Sequence, residues 1–312
     1  MSEIVHLLST ETGLTESLVR NIMKSAPGRY KEYAIPKRSG GVRQIAQPAR
    51  EVKLLQRALV ATVLKKLPIH NSATAYRTGM SIRDNALPHA GSGPILKLDF
   101  RDFFPSIKSH DWVLYCRENK CLADDEDIQL TASLLFQRQS GYRSLRLAVG
   151  APSSPILSNI IMYRFDSVIS EEVLKDRVVY TRYADDLTFS APRTGFLNGV
   201  LKIVSKTLRG LHFPSLDINE DKTTYVTSKF HRTVTGLTIT NDGKVTIGRD
   251  KKRLLSASVH RAKLLKLSSD SLRSLAGHLA YVNSVEPGFI IALRVKYGDM
   301  IINFIQSQVE KP

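Results

Sequence analysis

The stretch VVYTRYADDLTFSA, residues 178–191, decides how this chain reads. Runs rich in Val, Tyr, Thr and Phe flank a short polar break at Ala184-Asp185-Asp186, the pattern of two strands joined by a tight turn. Such a hairpin lifts two adjacent carboxylates to one point. Paired negative charge is unfavourable there unless cations neutralise it, so divalent metals serving phosphoryl chemistry are the functional reading. The ordinary reading is a solvated turn, since Asp is common in turns. A third carboxylate brought in from elsewhere decides between them.

That carboxylate stands upstream, in PILKLDFRDFFPSI at 94–107. Ile95, Leu96 and Leu98 form a buried-strand pattern that ends at Asp99. Asp99 and Asp185 are separated by 185 − 99 = 86 residues. Only a fold that makes the two strands neighbours in one sheet brings the three carboxylates together.

Around these segments the chain alternates helices and short strands. Apolar spacing predicts two short helices within 1–25, with Ser9 and Thr15 as caps. YKEYAIPKRSGGVRQIAQP at 30–48 reads as a hairpin turning at Ser39-Gly40-Gly41. A helix is expected from Arg50 to Leu67, ended by Pro68. The segment 72–94 is loop-rich and basic. Helices are expected over 109–139, in a long run after the turn at 150–155, and over 195–209. Short strands fill 216–250, with Asn241-Asp242-Gly243 as a hairpin signal, and 250–312 reads as a basic helical bundle.

The 312 residues carry 45 Lys and Arg against 29 Asp and Glu, a formal net charge of +16. A surplus of that size implies a polyanionic partner, nucleic acid first. An anionic membrane is disfavoured, because no basic amphipathic helix with Trp and Phe on one face stands out and Trp112 is the only tryptophan. No apolar run approaches the length of a membrane span, and the first residues lack a secretory pattern, so a cytoplasmic protein is expected. Cys116 and Cys121 alone cannot build a four-ligand zinc site; they read as ordinary helix residues in a reducing compartment.

Asp99 with FRDFF after it, GAPSSP at 150–155 and YADD at 183–186 together resemble the palm of a reverse transcriptase. Asn85-Ala86-Leu87-Pro88-His89 fits the Asn-Ala-x-x-His signature of retron reverse transcriptases, and Val234-Thr235-Gly236 fits a second retron signature. The resemblance spans roughly 35–240. It implies an α+β, right-hand polymerase architecture, with N-terminal helices and fingers at 1–95, a palm at 96–240 carrying a finger insertion around 109–148, and a basic helical thumb at 241–312.

It also implies roles. Asp99, Asp185 and Asp186, with the backbone carbonyl of Phe100, hold two Mg2+ ions, for which Mn2+ can substitute. Lys222 protonates the leaving pyrophosphate; a plain surface lysine is the alternative. Phe104 packs under the sugar and excludes a 2′-hydroxyl, against an alternative of strand-end core, the reading given to Phe103. Arg43 grips the triphosphate, with Arg77 a second candidate, while Lys37 and Arg38 fit a solvated basic hairpin equally well. Gly150, Ala151 and Pro152 cradle the nucleotide through small side chains. Tyr183 supports the primer end, and Val234, Thr235 and Gly236 lie along primer and template. Asn85 and His89 organise RNA, or are satisfied structural polar residues. Lys251, Lys252, Arg253, Arg261, Lys263 and Lys266 are the thumb's phosphate contacts. One departure stands out: many family members carry Pro-Gln-Gly where this chain has Ala148-Val149-Gly150, which removes an amide near the nucleotide's sugar.

The activity implied is RNA-directed DNA synthesis on a cognate structured non-coding RNA. It would be primed from a guanosine 2′-hydroxyl, use deoxynucleoside triphosphates, and yield a branched RNA–DNA product. A separate effector or toxin protein in anti-phage defence is expected, with none fused here. A group II intron-type maturase is disfavoured by the two retron signatures, and a non-catalytic RNA scaffold by the intact Asp99, Asp185 and Asp186.

Overall fold

A computed structural model describes residues 2–36 and 40–308 of the chain. Lys37, Arg38 and Ser39, the last of these the first residue of the expected fingers turn, lie outside the described residues. In chain order the elements are α1 (Glu3–Thr12), α2 (Glu16–Ser25), β1 (Tyr30–Pro36), β2 (Val42–Pro48), α3 (Arg50–Thr62), α4 (Ile82–Ala86), β3 (Ile95–Asp99), α5 (Phe103–Ser106), α6 (Ser109–Asn119) and α7 (Asp125–Leu135). Then come β4 (Phe136–Gln137), β5 (Arg146–Leu147), α8 (Ser154–Ile161), α9 (Tyr163–Leu174), β6 (Val179–Tyr183), β7 (Asp186–Ser190), α10 (Val200–Gly210) and β8 (Thr224–Val226). Last are β9 (Arg232–Val234), β10 (Leu237–Ile239), β11 (Val245–Thr246), α11 (Arg249–Lys263), α12 (Ser269–Val285), α13 (Pro287–Tyr297) and α14 (Asp299–Gln306). This is the α+β class expected, mixing helices with antiparallel pairs.

The chain packs as two compact units. The first comprises 1–79, 96–189 and 195–225. It carries a four-stranded sheet in the order β6-β7-β3-β8, so the strand ending at Asp99 is flanked by the strand that begins at Asp186. Phe100, Phe136, Phe165, Phe189 and Trp112 fill its core. The β1–β2 hairpin is antiparallel, with Ile35 opposite Arg43 and Ala34 opposite Gln44.

The second unit comprises 80–95, 190–194 and 226–312. Its small sheet runs β11-β10-β9. One apolar cluster joins Ala86, Val234, Leu237 and Val245 to Val259, Leu279, Ile290 and Ile302 of the C-terminal helices. Residues 80–95 and 226–240 thus pack with those helices, whereas the partition made on sequence divides the chain by role.

Several expected elements are cut differently. The helix expected over 109–139 is two helices. Lys120 takes a left-handed conformation (φ 50°), its N–H closes on Cys116 O, and α6 stops without glycine or proline. The segment then turns extended at Phe136, which pairs with Leu147. The helix expected to Leu67 ends at Thr62 and finishes as a 3₁₀ turn at Leu64–Lys66. The helix expected from 195 begins at Val200, beyond Gly195 (φ 100°) and Gly199. Thr15 caps α2 as expected, but α1 is capped by Ser2; the Ser9 hydroxyl instead donates to Leu14 O at 2.6 Å.

Candidate active site

The end of β3 is where the first unit gathers its charge. Ile95, Leu96, Leu98 and Asp99 are all buried. Backbone bonds then lay two other segments against this strand end. The amide of Phe100 donates to Asp185 O at 3.1 Å, which holds the tip of the β6–β7 hairpin there. The amide of Asn219 donates to Asp99 O at 2.7 Å, and that of Arg101 to Asp217 O at 2.9 Å. These bonds carry Lys222 over the carboxylate, where its Nζ lies 2.9 and 3.0 Å from the two Asp99 oxygens.

The electrostatics record the crowding. Burial lifts the Asp185 carboxyl, the Asp99 charge lifts it further, and Lys222 and Arg43 pull it back. Asp186 keeps an open face to solvent, yet the protein packed around its other sides, then Asp185 and Asp99, push it up to about 6. Lys222 is raised, chiefly by its hydrogen bond to Asp99. Lys97, two residues before Asp99 and so on the same face of β3, is lowered by burial and countered by the charge of Asp186. Sequence reading had missed Lys97, although that period-2 spacing pointed to it.

Among the described residues, no group of three or more His, Cys, Asp or Glu side chains is set as a ready cation cage. The donor set nevertheless suits a hard divalent cation. Asp185 and Asp186, both with raised proton affinity, lie within electrostatic reach of Asp99, and the Lys222 ammonium is hydrogen-bonded to Asp99.

The hairpin is braced from beneath by residues that sequence reading did not single out. Arg182 and Asp166 are fully buried and joined by three bonds, Nε to Oδ1 at 2.9 Å, Nε to Oδ2 at 3.2 Å and Nη2 to Oδ2 at 2.6 Å. Tyr180 Oη also donates to Asp166, at 2.7 Å. Arg182 Nη1 donates to Asn159 Oδ1 and to Ala184 O, both at 3.1 Å. That last bond fixes the residue of the YADD turn whose backbone is left-handed (φ 59°).

Around the carboxylates lie the expected nucleotide residues. Arg43 is exposed on β2, and its charge reaches Asp185 and Tyr76. Arg77 is tied to its own loop, with Nη1 near His70 O (3.3 Å) and Ala73 O (3.4 Å). Phe103 is core, stacked on Phe100 at 5.5 Å, while Phe104 is half-buried. The Phe104 ring faces Tyr76 at 6.4 Å. Tyr76 had also been missed; it holds a left-handed backbone (φ 62°), which no feature of the sequence announces. Phe100 keeps its ring buried. Tyr183, half-buried, ends β6 beside the carboxylates.

A side chain at Gly150 (φ 124°) would be strained, and its Cβ would crowd Ala46 O and Ile45 Cγ2, both at 3.1 Å. The turn is pinned to β2 by Ala46 N donating to Val149 O at 2.8 Å. Ala151 is buried against Ala46 and Ala148, and Pro152 is half-buried.

The second unit gathers both short signatures. Thr235 Oγ1 donates to Ile82 O at 3.1 Å, and Val234 shares an apolar cluster with Ala86. Asn85 and His89 are fully buried. His89 Nδ1 lies 2.7 Å from Ser190 Oγ, and burial pushes its ring down to about 4, which keeps it neutral. Val234 is likewise core, while Thr235 and Gly236 form a left-handed turn, with Gly236 exposed and accepting from Lys251 Nζ at 3.3 Å.

On α11 and just beyond it, Arg253, Arg261, Lys263 and Lys266 are exposed, whereas Lys252 is committed to Glu286 and the Phe289 ring. A cleft of about 500 Å³ beside them adds His260, Lys296 and Tyr297, which the sequence reading had not named. Among the described residues, no helix is long and apolar enough to cross a membrane.

Residues 35–252 match the family model described as "Reverse transcriptase (RNA-dependent DNA polymerase)". The chain is 38% identical to the retron Ec83 reverse transcriptase of Escherichia coli, over 93% of this chain and 94% of that one. It is 32% identical to the retron Ec73 reverse transcriptase of Escherichia coli, over 98% and 99% of the two chains. The retron Ec86 reverse transcriptase of the same organism is also 32% identical, over 96% and 92%.

Proposed function

Because the chain belongs to the retron reverse transcriptases, RNA-directed DNA polymerases, we propose that it copies one cognate structured RNA into branched DNA, priming from a guanosine 2′-hydroxyl. The observation that carries the reading is the meeting of Asp99, Asp185 and Asp186 under Lys222.

The family depends on divalent metal. In this chain Asp99, Asp185, Asp186 and the Phe100 carbonyl would hold two Mg2+ ions, or Mn2+ in their place. When bound, they lower the proton affinity of the attacking hydroxyl and stabilise charge on the phosphates. The remaining work belongs to side chains. Arg43 pairs with the triphosphate through its planar fork. Phe104 closes the space a 2′-hydroxyl needs. Lys222, held at the site by Asp99, would turn its proton toward the leaving pyrophosphate. Gly150, Ala151 and Pro152 let the nucleotide approach backbone, and Tyr183 carries the primer end. Arg77 contributes by shaping the loop that presents Tyr76.

The basic second unit is the RNA-binding thumb. The exposed Lys251, Arg253, Arg261, Lys263 and Lys266 contact phosphate there, and Thr235 with Gly236 lies along the nucleic acid. Asn85, His89, Val234 and Lys252 support that surface from within. The net charge of +16 supports a polyanionic partner. A cytoplasmic enzyme working with a separate effector protein in anti-phage defence completes the proposal.

The test is to extract nucleic acid from cells making the protein and its neighbouring RNA. The expected result is a short DNA that changes size on debranching or RNase treatment. A linear DNA indifferent to debranching would contradict the priming step and leave only polymerase activity.

A further inference from the structure

A groove of about 550 Å³ lies between α2 and α3 of the first unit, and none of its residues serves the carboxylate site. One wall is Leu14, Leu18 and Ile22, spaced four residues apart and so aligned as one ridge of α2 and the turn before it. The other wall is α3, which presents Arg50, Leu54 and Arg57 at spacings of four and three. Both helices send different residues into the core: Val19 and Met23 from α2, and Val52, Leu55 and Leu59 from α3. The groove residues are therefore additional to what packing these helices requires. Leu18 is 46% and Leu54 44% exposed, and because they line the same groove they form a patch rather than two scattered leucines. The rim is cationic. Arg29 and Glu51 pair with each other there, whereas Arg50 and Arg57 are exposed and have no ion pair among the described residues.

We propose that this groove docks an amphipathic helix of an acidic partner protein, whose apolar anchors seat against Leu18 and Leu54 while its flanking carboxylates pair with Arg50 and Arg57. Two helix ridges with an aliphatic floor are the receptor form of helix-in-groove recognition, which takes anchors at i, i+3 or i+4, and i+7. The open arginines select the charge of the visitor, since their planar forks match carboxylates bidentately. Nucleic acid is the poorer fit, because the lining contains no aromatic ring on which a base could stack. A second copy of the chain is disfavoured by charge. Each copy carries +16, and a self-complementary contact here would bring Arg50 and Arg57 of both copies together. The inference does not depend on the polymerase reading.

The experiment measures fluorescence anisotropy of a helix-stabilised peptide, with leucines at helical spacing and glutamates on both flanks, titrated with the full chain. A scrambled peptide of the same composition is the control for bulk charge. The wild type binds the patterned peptide at least about tenfold more tightly than the scrambled one, and Leu18→Glu and Leu54→Glu each weaken it by about tenfold. Arg57→Glu weakens it by about threefold and flattens its salt dependence. Thermal unfolding and primer extension, expected at wild-type values, check each variant. If Leu18→Glu does not fold, Leu54→Glu and Arg57→Glu decide alone. Equal affinity for the two peptides, or folded variants that bind the patterned peptide as the wild type does, overturn the inference. A single-stranded RNA whose binding is lost in Leu54→Glu overturns it in favour of an RNA surface. A wild-type dimer in sedimentation that Leu54→Glu dissociates overturns it in favour of a second copy. A wild type that binds the peptide yet extends no primer contradicts the polymerase reading and leaves the docking groove standing.

Discussion

Lys222 Nζ lies 2.9 and 3.0 Å from the two carboxylate oxygens of Asp99. An ammonium thus covers a carboxylate proposed to hold metal. Its side chain is more than half exposed, so the pair contributes little to stability. The expectation for Lys222→Ala is therefore a folded protein whose kcat falls about 100-fold, the usual worth of a general acid, with little change in deoxynucleotide KM. Pre-steady-state incorporation measures this, and a loss under twofold would reduce Lys222 to a surface lysine.

Beneath the hairpin, Arg182 and Asp166 pair with no solvent exposure. Removing one partner strands a buried charge, so Arg182→Met or Asp166→Asn alone should lose about 3–5 kcal/mol in urea unfolding. The double variant should lose less than the two single losses added together. Arg182→Met, if it remains folded, should also lose activity, because Ala184 O loses its donor. Additive losses in the double-mutant cycle would contradict the pairing.

His89 sets a pH signature. Folded, its ring is held down to about 4; unfolded, it titrates near 6.5. Below 6.5 the unfolded chain takes up a proton that the folded chain refuses. This contribution is complete above pH 6.5 and is lost as pH falls through 6.5 toward 4, amounting to about 3 kcal/mol. Urea midpoints at pH 7 and pH 4.5 should draw together in His89→Asn relative to wild type. An identical pH slope in both proteins would remove His89 as the source.

Phe104, half-buried against Tyr76, should set sugar choice. Phe104→Val is expected to raise ribonucleotide incorporation relative to deoxynucleotide by about 10- to 100-fold, with modest change in deoxynucleotide turnover. Competition assays with paired nucleotides read the ratio directly. An unchanged ratio in folded protein would return Phe104 to the strand-end core.

These residues differ in how plainly the sequence announces them. Asp99 closes a strand with a clear apolar pattern, and the YADD turn sits between two β-rich runs, so both elements are legible from local periodicity. Their convergence depends on β3 and β7 being neighbours, which no local pattern encodes, and the reading rested on family resemblance. Arg182 looks like an outward strand residue. Its partner Asp166 lies on α9, 16 residues away, in a helix whose pattern gives no sign of a buried carboxylate. For Asn85 and His89 the sequence leaves an RNA-organising and a structural reading open, because burial of a polar side chain is set by the fold and not by local pattern. The break after α6 escapes notice because Lys120, not glycine, adopts the left-handed conformation.

The central claim is that Asp99, Asp185 and Asp186 form the polymerase site. It is tested most directly by single-nucleotide extension of a primed RNA template by purified wild type and Asp185→Asn in Mg2+. The account predicts template-directed extension by the wild type and a fall of about 10³-fold or more in the variant, with unchanged folding. Extension by Asp185→Asn at the wild-type rate would contradict it.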